Sequence, residues 1–405
     1  MKPQDYPTTG VEVPELAVLD TTLLRCMTEH NVPGASLAVT KNGKLLYARG
    51  FGWADLQALE PVQPTSLFRI ASVSKPITAV AILKLIQEGR LGLRDRVFDI
   101  LTVTPHLEPG AQPDPRMPDI TVLHLLNHTG GWDRARSGDG MFFPVEIAES
   151  LGVDAPAGPE HVMRWLSGRP LDFTPGQQYA YSNYGYCLLG RIIEQITGRG
   201  YEEYVQTEIL APLGITGMRI GKTRVGGRAE GEVVYYPITS LERSVFQENL
   251  GQKVPHPYGA WYLEAMDSHG GWIASALDIV RFATAFQDKD ASPLLSRDSI
   301  ETMFARPDSP VGDDAQGQPR RNFYGCGWAV DLPTEDGKPG QQHHNGMLMG
   351  TAAVMRRRDD GVCWAALFNS ALGRRDMYIG SPIVAGMDEA LAAITTWPTT
   401  NIGIS

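Results

Sequence analysis

Ser72-Val73-Ser74-Lys75, running on through Pro76-Ile77-Thr78-Ala79-Val80-Ala81-Ile82-Leu83, is the stretch on which the reading of this chain turns. A Ser and a Lys three positions apart at the start of a helix share one face and lie within hydrogen-bond reach. A serine hydroxyl is a weak nucleophile until a base takes its proton. A lysine amine whose pKa is lowered by burial or by nearby positive charge can be that base. Behind the pair, Ile77, Val80, Ala81, Leu83, Leu85 and Ile86 spread around much of a helix from Lys75 to Glu88, and Gly89 stands where a C′ residue belongs. This pattern predicts a largely buried helix that holds the nucleophile rigidly, with helix-terminal N–H groups nearby. Alone, the four residues fit an ordinary helix start with a solvated lysine equally well, because S-x-x-K arises by chance in a chain of 405 residues.

Upstream, Ala35 to Val39 and Lys44 to Arg49 are short apolar runs flanking Asn42-Gly43, a dipeptide suited to a tight hairpin turn. Downstream, helical patterns over Val122 to Asn127, His161 to Leu166 and Tyr184 to Ile196 are separated by Gly/Pro-rich loops. Strand-like runs return at Gly325 to Asp331, Gly350 to Arg356 and Cys363 to Asn369, and a helical Ile383 to Ile394 follows. The simplest assembly pairs the late strands with the early hairpin. The expected fold class is therefore α/β in the α+β sense: an antiparallel sheet flanked by helices, plus a mostly helical subdomain. Residues 15–95 and 251–400 would form the sheet subdomain and residues 96–250 the helical one, with the site in the cleft between them.

Composition excludes several functions. Apolar residues at 42% and charged residues at 20% describe a chain with a core to bury and no bulk disorder. A net charge of -10 disfavours nucleic acid or an anionic membrane as the main partner. Cys26, Cys187, Cys326 and Cys363 contain no C-x-x-C pair and read as buried thiols. The histidines show neither H-E-x-x-H nor any other ligand spacing, so neither a metal nor another cofactor is expected. Met1 to Pro14 has no apolar h-region and no eighteen-residue apolar run occurs, which predicts a soluble protein without membrane insertion. It reads as cytoplasmic as written, or as periplasmic or secreted if a signal was removed.

Two further segments carry chemistry. Tyr181-Ser182-Asn183 heads the helical run through Leu188, Leu189, Ile192 and Ile193. A phenol there can relay the proton from Ser72 to a leaving group, while Asn183 hydrogen-bonds substrate or Lys75; by itself the segment better fits a packed Tyr and a capping Asn. His344-Asn345-Gly346 precedes Met347 and the strand Thr351 to Met355. Gly346 would let substrate approach the backbone, and the amides of Ser72 and Met347 are the candidate oxyanion hole. Trp272 joins Asn183, His344, Gly346 and Met347 as a candidate substrate-binding or supporting residue. Trp132, Phe142, Phe143, Tyr258, Trp261, Tyr262 and Trp328 are further aromatics in or near loops; several are candidates for an apolar acyl pocket, and more than half are expected to be packing residues.

In order and context these segments resemble the serine β-lactamase-like superfamily, whose members share S-x-x-K, Y-x-N and a late K-T-G or H-x-G. Supporting stretches are Phe68 to Ala71, Leu125 to Gly131, Tyr184-Gly185-Tyr186 and Gly270-Gly271-Trp272. The likeness runs from about Val32 to about Asn369 and implies a β-lactamase/transpeptidase-like fold. Where class C β-lactamases and many penicillin-binding proteins carry a third-motif lysine, this chain has His344, a weaker and pH-dependent cation. That departure is more similar to the carboxylesterase-type (family VIII) members, the D-amino-acid amidases and peptidases, and the fungal acyltransferases of the fold. The resemblance thus implies a serine hydrolase acting on a small-molecule ester or amide through acyl-Ser72, with Ser72, Lys75 and Tyr181 catalytic. The alternatives are a β-lactamase or D-alanyl-D-alanine carboxypeptidase or D-aminopeptidase, an acyltransferase to a small acceptor, and a non-catalytic binding protein. The oligomeric state is not readable from the sequence.

Overall fold

Asn42 and Gly43 turn the chain with φ of +49° and +80°, the left-handed pair that a two-residue hairpin needs. The computed structural model describes residues 5–237, 241–373 and 377–402. Three early strands, β1 (Thr8–Gly10), β2 (Gly34–Lys41) and β3 (Lys44–Asp55), meet five late ones: β4 (Asn322–Tyr324), β5 (Ala329–Asp331), β6 (Gln341–Leu348), β7 (Thr351–Arg358) and β8 (Val362–Phe368). They form one antiparallel sheet in the order β1-β3-β2-β8-β7-β6-β5-β4, and Glu60–Pro61 pairs alongside β3. Every residue of β8 is buried, because this central strand is covered on both faces and cannot alternate apolar with polar.

Helices make those two layers. α1 (Ala17–His30) and α6 (Gly380–Ala393) cover one face, packing Leu19, Leu23, Met27, Ile383 and Met387 against Val39 and Trp364. On the other face lie α2 (Ser74–Gln87) and α5 (Ala276–Thr284), where Val80 and Phe282 share a core with Ala38, Met355 and Ala365. α2 is buried without a break from Ser74 to Leu83, which is why its apolar residues lack a single stripe. Gly89 closes it at φ +70°. Between residues 97 and 213 the chain contributes helices and loops but no strand. Within that stretch α3 (Val122–Leu126) packs on α4 (Asn183–Thr197), and α4 packs on α2. A short ladder of Phe68–Arg69, Trp272–Ala274 and Arg219–Ile220 ties the approach to Ser72 to the segment after His269.

The run from Gly325 to Asp331 differs from expectation: only Ala329–Asp331 is strand. Gly327, at φ +86°, passes so close to α2 that a Cβ there would lie 2.4 Å from Ala79 Cβ. Trp328 then sinks among Phe282, Phe286 and Phe304, and packing takes precedence over extension. Among the described residues no helix is long and apolar enough to cross a membrane, and no cluster suits a metal ion.

Candidate active site

Ser72 sits in a single 3-10 turn, Ala71–Val73, that leads directly into α2. Ala71 holds φ +46°, an uncommon left-handed conformation for a residue with a Cβ, costing roughly 1–2 kcal/mol. Its surroundings over-determine it. Ser74 Oγ donates to Ala71 O at 2.7 Å, Ile70 N–H donates to Trp272 O at 3.0 Å, and Thr351 Oγ1 donates to Arg69 O at 2.7 Å. The Arg69 side chain is itself buried, donating to Pro257 O at 2.6 Å and Lys222 O at 2.7 Å.

One turn on, Lys75 Nζ lies 3.2 Å from Ser72 Oγ, 2.7 Å from Asn183 Oδ1 and 2.9 Å from His269 O. Asn183 Nδ2 donates to Asp139 Oδ2 at 2.6 Å, which fixes the amide with its oxygen toward Lys75. Two of the three neighbours of Lys75 are therefore acceptors only. Bonds to Asn183 and His269 occupy two N–H groups, and the third position of Nζ faces Ser72 Oγ, as an N–H donor when the amine is protonated and as a lone pair when it is not. Burial holds the Lys75 pKa well below the usual lysine value; Asp139 opposes that shift and Arg134 reinforces it.

Tyr181 completes the group. Its ring lies 4.7 Å from Lys75 Nζ, and its hydroxyl is close enough to Ser72 for that group to lower its pKa. Burial raises the pKa more than Ser72 lowers it, so near neutrality it is a phenol and a proton donor. His344 carries no charge there either: burial, with Lys75 next in importance, pulls its pKa down to about 3. Its Nδ1 is 2.8 Å from Asn345 O, an acceptor only, so Nδ1 bears the proton. Nε2 then accepts from Tyr324 Oη at 2.9 Å. Both ring nitrogens are committed within the protein, and His344 supports the cleft wall.

Gly346 explains how β6 reaches the nucleophile. A Cβ there would lie 2.1 Å from Ile70 O and 3.2 Å from Ala71 Cβ, so only a residue without a side chain lets the strand lie on the Ser72 turn. Met347 follows with half its surface exposed. Trp272 is placed differently from a pocket lining. It is fully buried and its Nε1 donates to Tyr201 Oη at 3.0 Å, because it belongs to the short ladder beneath the site; its backbone, not its ring, steadies the Ser72 turn. Trp132, Tyr258, Trp261 and Trp328 are buried too, Phe143 and Tyr262 are half-buried, and Phe142 is exposed.

The sequence model of the Beta-lactamase family matches residues 19–382. The chain belongs to the Beta-lactamase family. Penicillin-binding protein 4* of Bacillus subtilis (strain 168) is 28% identical over 332 residues, 82% of this chain and 66% of that protein. The chain thus spans just under two-thirds of that relative's length. The octameric penicillin-binding protein homologue from Pyrococcus abyssi superposes with a TM-score of 0.71 at 25% identity, covering 93% of this chain and 77% of that one. EstCE1, a hydrolase with promiscuous acyltransferase activity, superposes with a TM-score of 0.68 at 22% identity over 92% of this chain and 98% of its own, a likeness of fold alone.

In this Beta-lactamase family chain the three motif segments come close together: Lys75 bonds both Ser72 and Asn183, and the Tyr181 ring lies 4.7 Å from Lys75 Nζ and 6.3 Å from the His344 ring. Four other residues in that group carry no sequence signal of their own. Asp139 sits in a Gly-Asp-Gly loop that reads as a turn. Tyr324 precedes the misread strand, and His269 participates through its carbonyl oxygen. His128, at φ +61°, stacks 4.3 Å from the Tyr181 ring and 4.5 Å from that of Tyr324. Its sequence signal is a shared one, because it lies within the Leu125 to Gly131 stretch that carries part of the family resemblance.

Proposed function

We propose that the protein is a serine hydrolase that cleaves uncharged ester, or amide, bonds through an acyl-Ser72 intermediate, in the manner of a carboxylesterase. The observation that carries this reading is the placement of Lys75 Nζ, 3.2 Å from Ser72 Oγ and bonded to the acceptors Asn183 Oδ1 and His269 O in a buried position that lowers its pKa. Ser72 Oγ attacks the carbonyl carbon as its proton passes to Lys75. The amides of Ser72 and Met347 hold the oxyanion. Tyr181 gives its phenolic proton to the departing alcohol or amine, and the resulting tyrosinate takes the proton from Lys75. Water then attacks the acyl-enzyme by the reverse proton path.

The preference for an uncharged substrate is supported by the neutral, fully bonded His344 where relatives hold a lysine. A cavity of about 460 Å3 beside the site supports it further. Tyr179, Phe323, Tyr324, Val311 and Pro307 give that cavity an apolar side suited to an acyl chain or an aromatic leaving group, while Arg320, Asn322, Asp331 and His343 make its other side polar. The relationship to penicillin-binding protein 4* favours a second reading, a penicillin-recognising enzyme using the same residues.

One assay separates them. Initial rates with p-nitrophenyl acetate, p-nitrophenyl butyrate and nitrocefin are recorded for the wild type and Ser72→Ala. Ester turnover with little nitrocefin turnover, lost in the variant, is the expected result. Dominant nitrocefin turnover, or a stable adduct with it, moves the reading to the second. Turnover that survives in Ser72→Ala refutes both.

A further inference from the structure

The carboxylate nearest in function to Lys75 is not in any of the three motifs. Asp139, half-buried, accepts from Asn183 Nδ2 at 2.6 Å through Oδ2 and from Met141 N–H at 3.2 Å through Oδ1. Both contacts come from donors, which is the bonding pattern of an ionised carboxylate; burial raises its pKa, and these bonds, with Lys75 and Arg134, offset that rise in part. Asn183 in turn presents its other amide atom to Lys75 at 2.7 Å. The result is a continuous line from Asp139 through Asn183 to Lys75 and Ser72, assembled from a loop, the start of α4 and the start of α2.

Resting on the acyl-Ser72 reading, we propose that Asp139 is a positioning residue for the reaction: it fixes the Asn183 amide so that the Lys75 lone pair faces Ser72, and it stabilises the Lys75 ammonium formed as Ser72 attacks. The two effects share a geometry. If the Asn183 amide turned over, Nδ2 would face Lys75, and the amine would have to turn its lone pair from Ser72 to accept that bond. If the carboxylate were absent, the new ammonium would stand in a buried site facing only neutral or cationic groups. Those groups are Arg134 from the Asp139 loop, His128 from the end of α3, His269 before the short ladder, His344 from β6, and Tyr181 and Tyr186 at the head of α4. Among the described residues, Asp139 is the anion that acts on Lys75. It acts over a short path through low-dielectric surroundings, where a charge has far more effect than in water.

The test is the pH profile of ester hydrolysis for wild type and Asp139→Asn, a near-isosteric change that removes the charge. Lys75 works as a base only when deprotonated, so the acid limb of kcat/KM follows its pKa. Asp139 raises that pKa, so removing the charge moves the acid limb to lower pH. The plateau kcat falls at least about tenfold because the ammonium loses its counter-charge, while KM changes little. Loss of activity through disturbed packing alone would leave the limb where it is. Asp139→Glu, which keeps the charge, should return the limb toward its wild-type position, and it serves as the comparison if Asp139→Asn melts early. An unmoved limb with a plateau within about twofold of wild type overturns the role of Asp139. Activity that persists in Ser72→Ala overturns instead the reading beneath it.

Discussion

Gly346→Ala tests whether the contact between β6 and the nucleophile turn sets the geometry of the site. The added Cβ would stand 2.1 Å from Ile70 O, well inside the 3.0 Å that real Cβ contacts respect. About 0.9 Å of extra separation must come from one of two partners. β6 is held to β7 over eight consecutive residue pairs. The turn is held by the bonds to Ala71 O, Trp272 O and Arg69 O, with Ala71 already at φ +46°. Neither yields freely, and whichever moves carries Ser72 relative to the Met347 amide. A misplacement of about 1 Å at a reacting centre costs on the order of a hundredfold in rate, and crowding of a packed contact destabilises by about 1–3 kcal/mol. The expected result is a kcat for p-nitrophenyl butyrate down about a hundredfold, with a melting transition lowered but still cooperative. Gly158→Ala is the control, because nothing lies within 4 Å of a Cβ there and its φ is an ordinary -82°. A Gly346→Ala enzyme within about threefold of wild type would refute the claim that this close approach positions the oxyanion site.

Two other outcomes follow from the same network. Lys75→Ala and Tyr181→Phe should each lower kcat by about two or more orders of magnitude while leaving the fold intact, checked by steady-state kinetics beside a thermal melt; near-wild-type turnover in either removes that residue from the proton path. Stability should fall as pH drops from about 6.5 toward 3. Burial holds His128, His269 and His344 neutral in the folded state, His344 down to about 3, whereas the unfolded chain takes up protons near pH 6.5. In that window the unfolded state binds more protons, each such histidine costs up to about 1.4 kcal/mol per pH unit, and above it the dependence from these groups vanishes. Urea melts at stepped pH values should give a shallower slope for His344→Gln than for wild type, and equal slopes would contradict a buried neutral His344.

Much of the site was readable because its signals are local. Asn42-Gly43 carries its own turn, Ser72 and Lys75 share a helical face by spacing alone, and Ser182 caps α4 at the point where Tyr181 and Asn183 are presented. What was not readable depends on contacts far along the chain. Asp139 gains its meaning from Asn183, 44 positions away, and in isolation a Gly-Asp-Gly loop is only a turn. Trp272 stands next to a motif, but its ring turns inward because the ladder of Phe68–Arg69 and Arg219–Ile220 places it under the site. The segment from Gly325 has strand-like composition, yet the close approach of Gly327 to α2 and the burial of Trp328 decide its path.

His344 shows how a motif can keep its position and change its physics. A lysine in a buried position facing Lys75 would set two ammonium groups against each other, and each would suppress the charge of the other. A histidine avoids that conflict by becoming neutral, and it then needs an acceptor for one nitrogen and a donor for the other. Asn345 O and Tyr324 Oη supply them. Once both nitrogens are taken, the third motif acts as a strut tying β6 to β4, and on the proposed reading the positive charge that develops during acylation is confined to Lys75. That confinement makes the distance from Lys75 to Asp139 matter, because a charge formed at one buried atom is best balanced by one fixed nearby carboxylate. On the proposed reading, the departure at His344 and the presence of Asp139 are two parts of one electrostatic arrangement suited to a substrate that brings no charge of its own.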